Sequence, residues 1–424
     1  MPPSHSHSHG PDPDAPPPTP EALGLRRRAV WLMLLLLVPV ALATVLGLFV
    51  LWPSGEPTRA QQVAETYLPP GTTYPEARVV SVELHPCGGD TGPQPAQCAT
   101  AVVEVLDGEG TGDFQQLDLT ADVVAAGIKP GDTLVLTRDA GAEGGASYGF
   151  FDYARGAPIV VLAIAFAVVV GLVARLRGLA SLVGLAFAFF ILFQFVLPGL
   201  LSEESPTLVS LVGASAIMFV VLYLAHGFSA RTTTALVGTL FGLTLVAVMG
   251  SIAVSVARLT GLTSEETVTL HTYDPTLNFS GLVLAGVVVA GLGVLNDVTI
   301  TQASAIWQLK EVSPDLTWRE LYRRGMAVGR DHIASTVYTI VFAYAGAGLP
   351  LLLILELYPR PFLVSLFSSA VAEEVIRTLV GAIALVLAVP LTTAIGAFFA
   401  EAADTKAGAA TERRMTALRA RFGR

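Results

Sequence analysis

A single carboxylate, Asp297, lies within a long apolar segment and is the residue best placed to bind or conduct a small solute or ion. In a helix it falls on a narrow stripe of residues, whose side chains are small at one end of the stripe and polar at the other. Small residues let a neighbouring helix come close, and buried polar groups need partners on that neighbour, so we expect the stripe to face another helix. Its members are Gly286, Ala290, Gly293, Asp297, Thr301, Ser304 and Gln308.

Two further ionisable groups lie at the ends of apolar segments. One is the run from Arg330 to His332, and the other contains Glu373, which can pair with Arg377 at i,i+4. An ionisable residue in a membrane is costly unless it is paired or hydrated, so these positions indicate a site. The predicted residues of a pathway or polar network are Asn296, Asp297, Thr301, Gln302, Ser304, Arg330, Asp331, His332, Glu373 and Glu374.

Two interpretations of these residues remain open. In the first, Asp297 and its polar neighbours line a route for a solute or ion. In the second, Asp297 and Arg330 form an ion pair or a hydrogen-bonded network that only fixes how the helices pack. Whether water reaches Asp297 distinguishes the two.

The composition is that of a multi-pass membrane protein. The chain has 424 residues, of which 53% are hydrophobic and 14% charged, whereas soluble globular proteins carry about 25% charged residues. A basic nucleic-acid-binding surface is absent from the sequence. Metalloprotease, phosphate-loop and dinucleotide motifs are absent as well, so we expect neither an enzyme nor a cofactor.

The fold class predicted is an α-helical polytopic membrane protein of about eight transmembrane helices, with a small extracytoplasmic β-barrel-like (OB-like) domain inserted after the first helix. Seventeen of the 25 lysines and arginines fall in segments that this arrangement places in the cytoplasm, together with both termini. The predicted spans are 26–52, 156–174, 179–200, 207–226, 232–257, 279–309, 332–356 and 377–400.

The predicted domains follow from changes in composition along the chain. They are a disordered His/Pro-rich tail (1–25), an anchor helix (26–52), a β-rich domain (53–153), a seven-helix membrane domain (154–400) with a cytoplasmic amphipathic segment (311–330), and a basic tail (401–424). His5, His7 and His9 in the first tail either chelate a metal weakly or belong to a solvated tail.

The β-rich domain is predicted from short strand-like runs separated by turn signals. It is acidic, with fifteen acidic and four basic residues. Its two cysteines, Cys87 and Cys98, are the only ones in the chain, and in an extracytoplasmic domain we expect them to form a disulfide. The predicted strands are 78–84, 99–106, 114–119 and 133–137.

Three long segments resemble the YibE/F-like family of bacterial membrane proteins. They are GLGVLNDVTITQASAIWQL (291–309), GRDHIASTVYTIVFAYAGAGLPLLL (329–353) and EEVIRTLVGAIALVLAVPLTTAIGAFF (373–399). The likeness extends over about 75–400 and includes the β-rich domain. It implies the membrane topology and supplies no catalytic or binding residues.

The sequence therefore favours a permease-like protein of the bacterial cytoplasmic membrane, with a polar path between spans six and seven. The alternative is a non-transporting scaffold or assembly factor that presents its extracytoplasmic domain to an envelope partner. The expected partners are the lipid bilayer and either an envelope protein or a second copy of the chain, and no nucleic acid.

Overall fold

The computed structural model describes residues 20–69, 71–88, 96–140, 145–202, 204–357 and 360–403, and the side chains from 33 to 401 within those ranges. The chain forms two compact units. One is Pro57–Arg175, and the other combines the parts of the chain before and after it. We call them the sheet unit and the bundle unit.

The sheet unit is built on five antiparallel strands in the order β3-β2-β1-β4-β5. Its elements are α2 (Arg59–Thr66), β1 (Glu76–Pro86), β2 (Gln97–Val105), β3 (Phe114–Leu119), α3 (Ala121–Ala125), β4 (Thr133–Ala140), β5 (Ala146–Tyr153) and the first part of α4 (Gly156–Ile191).

Alternating burial explains why these segments form one sheet. Every second residue of β2, from Ala99 to Val105, is buried in the apolar core of the sheet unit. This alternation is expected for a half-buried strand. Gly131 has φ 96°, a conformation that favours glycine, and it lies in the turn that leads into β4. The turn signals of the sequence therefore mark real strand ends.

The predicted OB-like barrel is not confirmed. In the described residues β3 and β5 are the two edges of the sheet and are not joined by strand pairing. Register shifts in β1, between Val79 and Ser81, and in β4 curve the sheet, and the Tyr153 hydroxyl donates to the Val123 carbonyl, 2.9 Å away. The result is a curved open sheet.

Cys87 and Cys98 form a disulfide at the loop end of the β1–β2 hairpin, with their Cα atoms 4.9 Å apart. His85 and Cys98 are opposite each other in the β1–β2 register. The bond therefore closes the loop between the first two strands.

We expect the purified, denatured protein to take up no maleimide before reduction and two maleimides afterwards. Both cysteines lie in the disulfide, and the described residues hold no free cysteine. Mass spectrometry of the labelled protein measures the uptake. Labelling of the unreduced protein at Cys87 or Cys98 would contradict the disulfide.

Apart from the connections, the described residues of the bundle unit are helical. After α1 it includes the end of α4 and a π-helical turn (Leu192–Val196). Its helices are α1 (Pro20–Val50), α5 (Leu197–Leu200), α6 (Pro206–His226), α7 (Ala230–Val256), α8 (Glu265–Tyr273), α9 (Phe279–Val312), α10 (Trp318–Ala347), α11 (Leu349–Leu357), α12 (Phe362–Leu366) and α13 (Ser369–Ala403).

Six described helices are long and apolar enough to cross a membrane. Trp318–Ala347 and Leu349–Leu357, bent by 67°, make a seventh if they count as one span. The six are Met33–Val50, Gly156–Leu200, Pro206–His226, Ala230–Val256, Phe279–Val312 and Ser369–Glu401. The predicted segment 311–330 is not separate, since residues 318–330 are the first part of α10.

The centre of the bundle unit is a trio of helices, α7, α9 and α13, each packed against the other two. Glycines let them approach: a Cβ on Gly242 of α7 would lie 2.6 Å from Leu295 of α9, and one on Gly250 would lie 2.6 Å from Leu284. These pairs make α7 and α9 antiparallel. Helices α6 and α10 also contact α9, so α9 is surrounded on most of its circumference.

Candidate functional site

The most buried polar contacts of the bundle unit lie where four helices meet. The Gln302 side-chain amide on α9 donates to the Gly325 carbonyl of α10 at 2.9 Å and to Thr393 Oγ1 of α13 at 2.7 Å. Thr239 of α7 and Thr299 of α9 share a hydrogen bond of 2.7 Å between their hydroxyls. We call these residues the threonine–glutamine network.

The network holds helices together and does not face an open path. Gln302 is 1% exposed, and both Thr239 and Thr299 are fully buried. Gly329 of α10 leaves the room for Gln302, since a Cβ there would lie 3.1 Å from the Gln302 carbonyl oxygen. Gln302, predicted as a pathway residue, is therefore buried and hydrogen-bonded between helices in this structure.

The stripe on α9 faces outward, contrary to the sequence-based expectation that it packs against a helix. Gly286, Gly293, Asp297, Thr301 and Gln308 are exposed. Ala290 and Ser304 are half-buried. A Cβ on Gly293 would meet no described atom within 4 Å. The buried face is instead the one that carries the network.

Asp297 has no hydrogen bond or ion pair among the described residues. Its neighbour Asn296 is half-buried, and its side-chain carbonyl oxygen is buried without a hydrogen-bond partner. At a rise of 1.5 Å per residue, Asp297 lies about 20 Å along the axis from Lys310, near the end of α9. A carboxylate therefore lies uncovered well inside an apolar helix.

The second group, Arg330 to His332, lies on α10 next to the threonine–glutamine network. Arg330 and Asp331 are exposed, and in the described part of the chain neither has an ion pair. His332 is half-buried, and its Nε2 is buried without a partner. The proposed pairing of Asp297 with Arg330 is thus not observed, and the structure leaves both charges uncompensated.

The third group is a closed ion-pair cluster at the start of α13. The Arg377 guanidinium contacts Glu373 at 3.0 Å and Glu374 at 2.9 Å. Thr263, in the connection between α7 and α8, donates to the second oxygen of Glu373 at 2.9 Å. A Cβ on Gly286 would lie 4.0 Å from Arg377 Nη2, so this cluster borders the outward stripe of α9.

Sequence reasoning missed the threonines of the network and Thr263. The signal was present in α7 and α13, where Thr239, Thr392 and Thr393 interrupt apolar runs. Thr392 Oγ1 is itself buried without a partner in the described residues. Threonine in a membrane helix needs a second helix or its own backbone as partner, which predicts a contact without naming it.

No group of three or more histidine, cysteine, aspartate or glutamate residues among the described residues could hold a metal ion. His5, His7 and His9 lie outside the described residues. The arrangement on α9 offers one carboxylate with amide and hydroxyl groups nearby. Such groups can bind a proton, a small cation or a polar solute through hydrogen bonds.

These features define a multi-pass helical membrane protein whose central helix carries an uncovered carboxylate. A family model described as YibE/F-like protein matches residues 162–402. This is more than half of the chain, so the chain belongs to the YibE/F-like family, as its three long segments predict. No curated protein and no solved structure matches the chain.

Proposed function

We propose that this protein is a permease-like membrane protein that moves a small solute or ion along the outward stripe of α9, beside α10. The observation that carries the proposal is Asp297, which is exposed and has no partner in the described part of the chain. A carboxylate facing hydrocarbon costs about 2.5–3.5 kcal/mol even on the lenient insertion scale. Water along the stripe removes that cost.

The stripe has the chemistry of a hydrated path. Small residues at Gly286 and Gly293 leave space beside the helix, and Thr301 and Gln308 continue the polar surface towards the end of α9. The Glu373–Arg377 pair borders the other end. A solute on this face would pass the Glu373–Arg377 ion pair and then Asp297.

The orientation we propose has eight spans and both termini in the cytoplasm. Arg175 has φ 54° and ψ −135°, which interrupts the helix. The apolar stretch 156–200 is about 68 Å long as one helix, over twice the hydrocarbon thickness, and divides there into two spans. Met33 begins the apolar part of α1 and Ala230 begins α7. Both share a cluster with Phe399, near the end of α13. In an arrangement of eight spans, these parts of α1, α7 and α13 lie on the same side of the membrane.

The test measures whether a water-soluble reagent reaches a cysteine placed at position 297 of the protein in membranes. We expect Asp297→Cys to react with a membrane-impermeant thiosulfonate in vesicles, because that reagent attacks a hydrated thiolate. Phe241→Cys is the matched control: Phe241 is 45% exposed, and it lies at the depth of Asn296 because the adjacent Gly242 packs on Leu295. It should stay unmodified. Mass spectrometry reports both.

Two outcomes would contradict the path. Absence of reaction at both positions would place Asp297 away from water and favour the scaffold alternative. A disulfide-linked dimer through residue 297 would show that a second copy covers the stripe. The native cysteines do not interfere, since they form the Cys87–Cys98 bond.

A further inference from the structure

A cavity of about 580 Å³ lies between helix ends of the bundle unit, away from the outward stripe of α9. Its walls come from the middle of α1, the start of α10, the first turns of α7 and the last part of α13. The side chains that matter below are Met33, Leu36, Val237, Trp318, Ala394 and Phe398. The volume is in the usual range for a small-molecule site.

The walls are hydrocarbon and open to the outside. Leu36 is 50% exposed and Phe398 is 46% exposed, although both line the cavity. An apolar cavity holds no stable water, because water needs several polar partners. In a bilayer the medium that surrounds these helices is acyl chains, which can therefore enter from the side.

A hydrogen bond and a ring contact fix the position of Trp318 in the cavity wall. The Trp318 indole N–H donates to the Ala394 carbonyl at 3.2 Å, which ties the start of α10 to α13. The indole also stacks on Tyr322, with ring centroids 5.8 Å apart. These contacts fix the position of the indole in the cavity wall.

Arginines lie at the same ends of the lining helices. Arg231 is in the first turn of α7, and Arg319 follows Trp318 in the first turn of α10. Arg319 is exposed and Arg231 is half-buried. On α1, residues 26–28 are three consecutive arginines, within about 11 Å of Met33 along the helix axis. Positive charge at the ends of membrane helices attracts anionic headgroups.

We propose that this cavity is a binding site for an anionic phospholipid, with one acyl chain between α1, α7 and α13 and the headgroup phosphate at the arginine-bearing helix ends. The apolar walls suit the acyl chain of such a lipid, and the arginines at the helix ends suit its phosphate. The proposal is independent of transport along α9, since none of its residues lies on the outward stripe.

The test is lipid retention by the full-length protein, measured by native mass spectrometry. Protein in mild detergent is mixed with phosphatidylglycerol or phosphatidylcholine of the same acyl chains. We expect phosphatidylglycerol to be preferred roughly 30-fold, the effect of two arginines near the headgroup. Ala394→Phe fills the cavity and should abolish retention, whereas Val248→Phe, at an exposed position elsewhere in α7, should not change it.

A second variant tests the headgroup separately. Arg231→Gln combined with Arg319→Gln leaves the apolar walls intact, so it should still bind lipid but lose most of the roughly 30-fold preference for phosphatidylglycerol. Equal retention of the two lipids by the unmodified protein would overturn the proposal, as would full retention by Ala394→Phe. Retention of neither lipid would overturn it as well.

Discussion

Replacing Arg377 by methionine is expected to lower the free energy of unfolding by about 3–5 kcal/mol, the usual cost of removing one partner from a buried ion pair. Arg377 holds Glu373 and Glu374 through its two terminal nitrogens. Glu373 is 8% exposed, so its carboxylate would stay buried without a cation. Methionine keeps most of the side-chain length and removes the charge. Unfolding by sodium dodecyl sulfate in mixed micelles measures the change.

Two controls separate charge from packing at this cluster. Glu374→Gln should have a smaller effect, because the Glu374 side chain is 38% exposed and water can replace the arginine. Glu373→Gln added to Arg377→Met should recover much of the loss, because it removes the stranded charge. An unchanged unfolding midpoint for Arg377→Met would show that the ion pairs contribute nothing to stability.

Replacing Gly238 by valine is expected to lower the free energy of unfolding by about 3 kcal/mol or more, the upper end of the range for overpacking. A Cβ at Gly238 of α7 would overlap with Thr392 Oγ1 of α13 and would lie 3.3 Å from Thr299 Cγ2 of α9. One added side chain therefore pushes on both partners of the central trio. The same detergent titration measures the effect.

Gly293→Val is the matched control on α9. Both positions are helical glycines in apolar spans, but Gly293 faces outward, with no described atom within 4 Å of its Cβ position. We expect a change of only about 0.5 kcal/mol. If the two valines destabilised the protein equally, the outward direction of the Gly293 face would be wrong.

Hydropathy predicted the helical segments because an apolar run long enough for a bilayer has few other structures open to it. The helix ends differ more from the prediction. Helix α10 begins at Trp318, ahead of the predicted span 332–356, because Leu321 and Gly325 pack into the bundle despite the arginines around them. Strand β5 was missed. Its Gly149 disfavours a strand, yet Gly149 pairs opposite Thr137 of β4.

The candidate site shows a limit of helical periodicity. The period assigns Gly286, Gly293 and Asp297 to one face, but it does not say whether that face meets a helix, lipid or water. In a bilayer apolar residues suit both lipid and helix contacts, so the buried face was not distinguishable by hydrophobicity. Here it carries Gln302, whose partner Thr393 is far away in the sequence.

The central trio also sets the order in which this protein can be completed during biosynthesis. Helix α13 supplies Thr393 to Gln302 and packs against α1, α7, α9 and α10, yet it leaves the ribosome after all four of them. At about 5–20 residues per second, roughly 7–30 s pass between synthesis of the end of α7 and of the end of α13. Gln302 and Thr393 are 91 residues apart in the chain, so for about 5–18 s of that interval the Gln302 amide lacks its acceptor on α13. Until then the earlier helices form an incomplete bundle in the membrane.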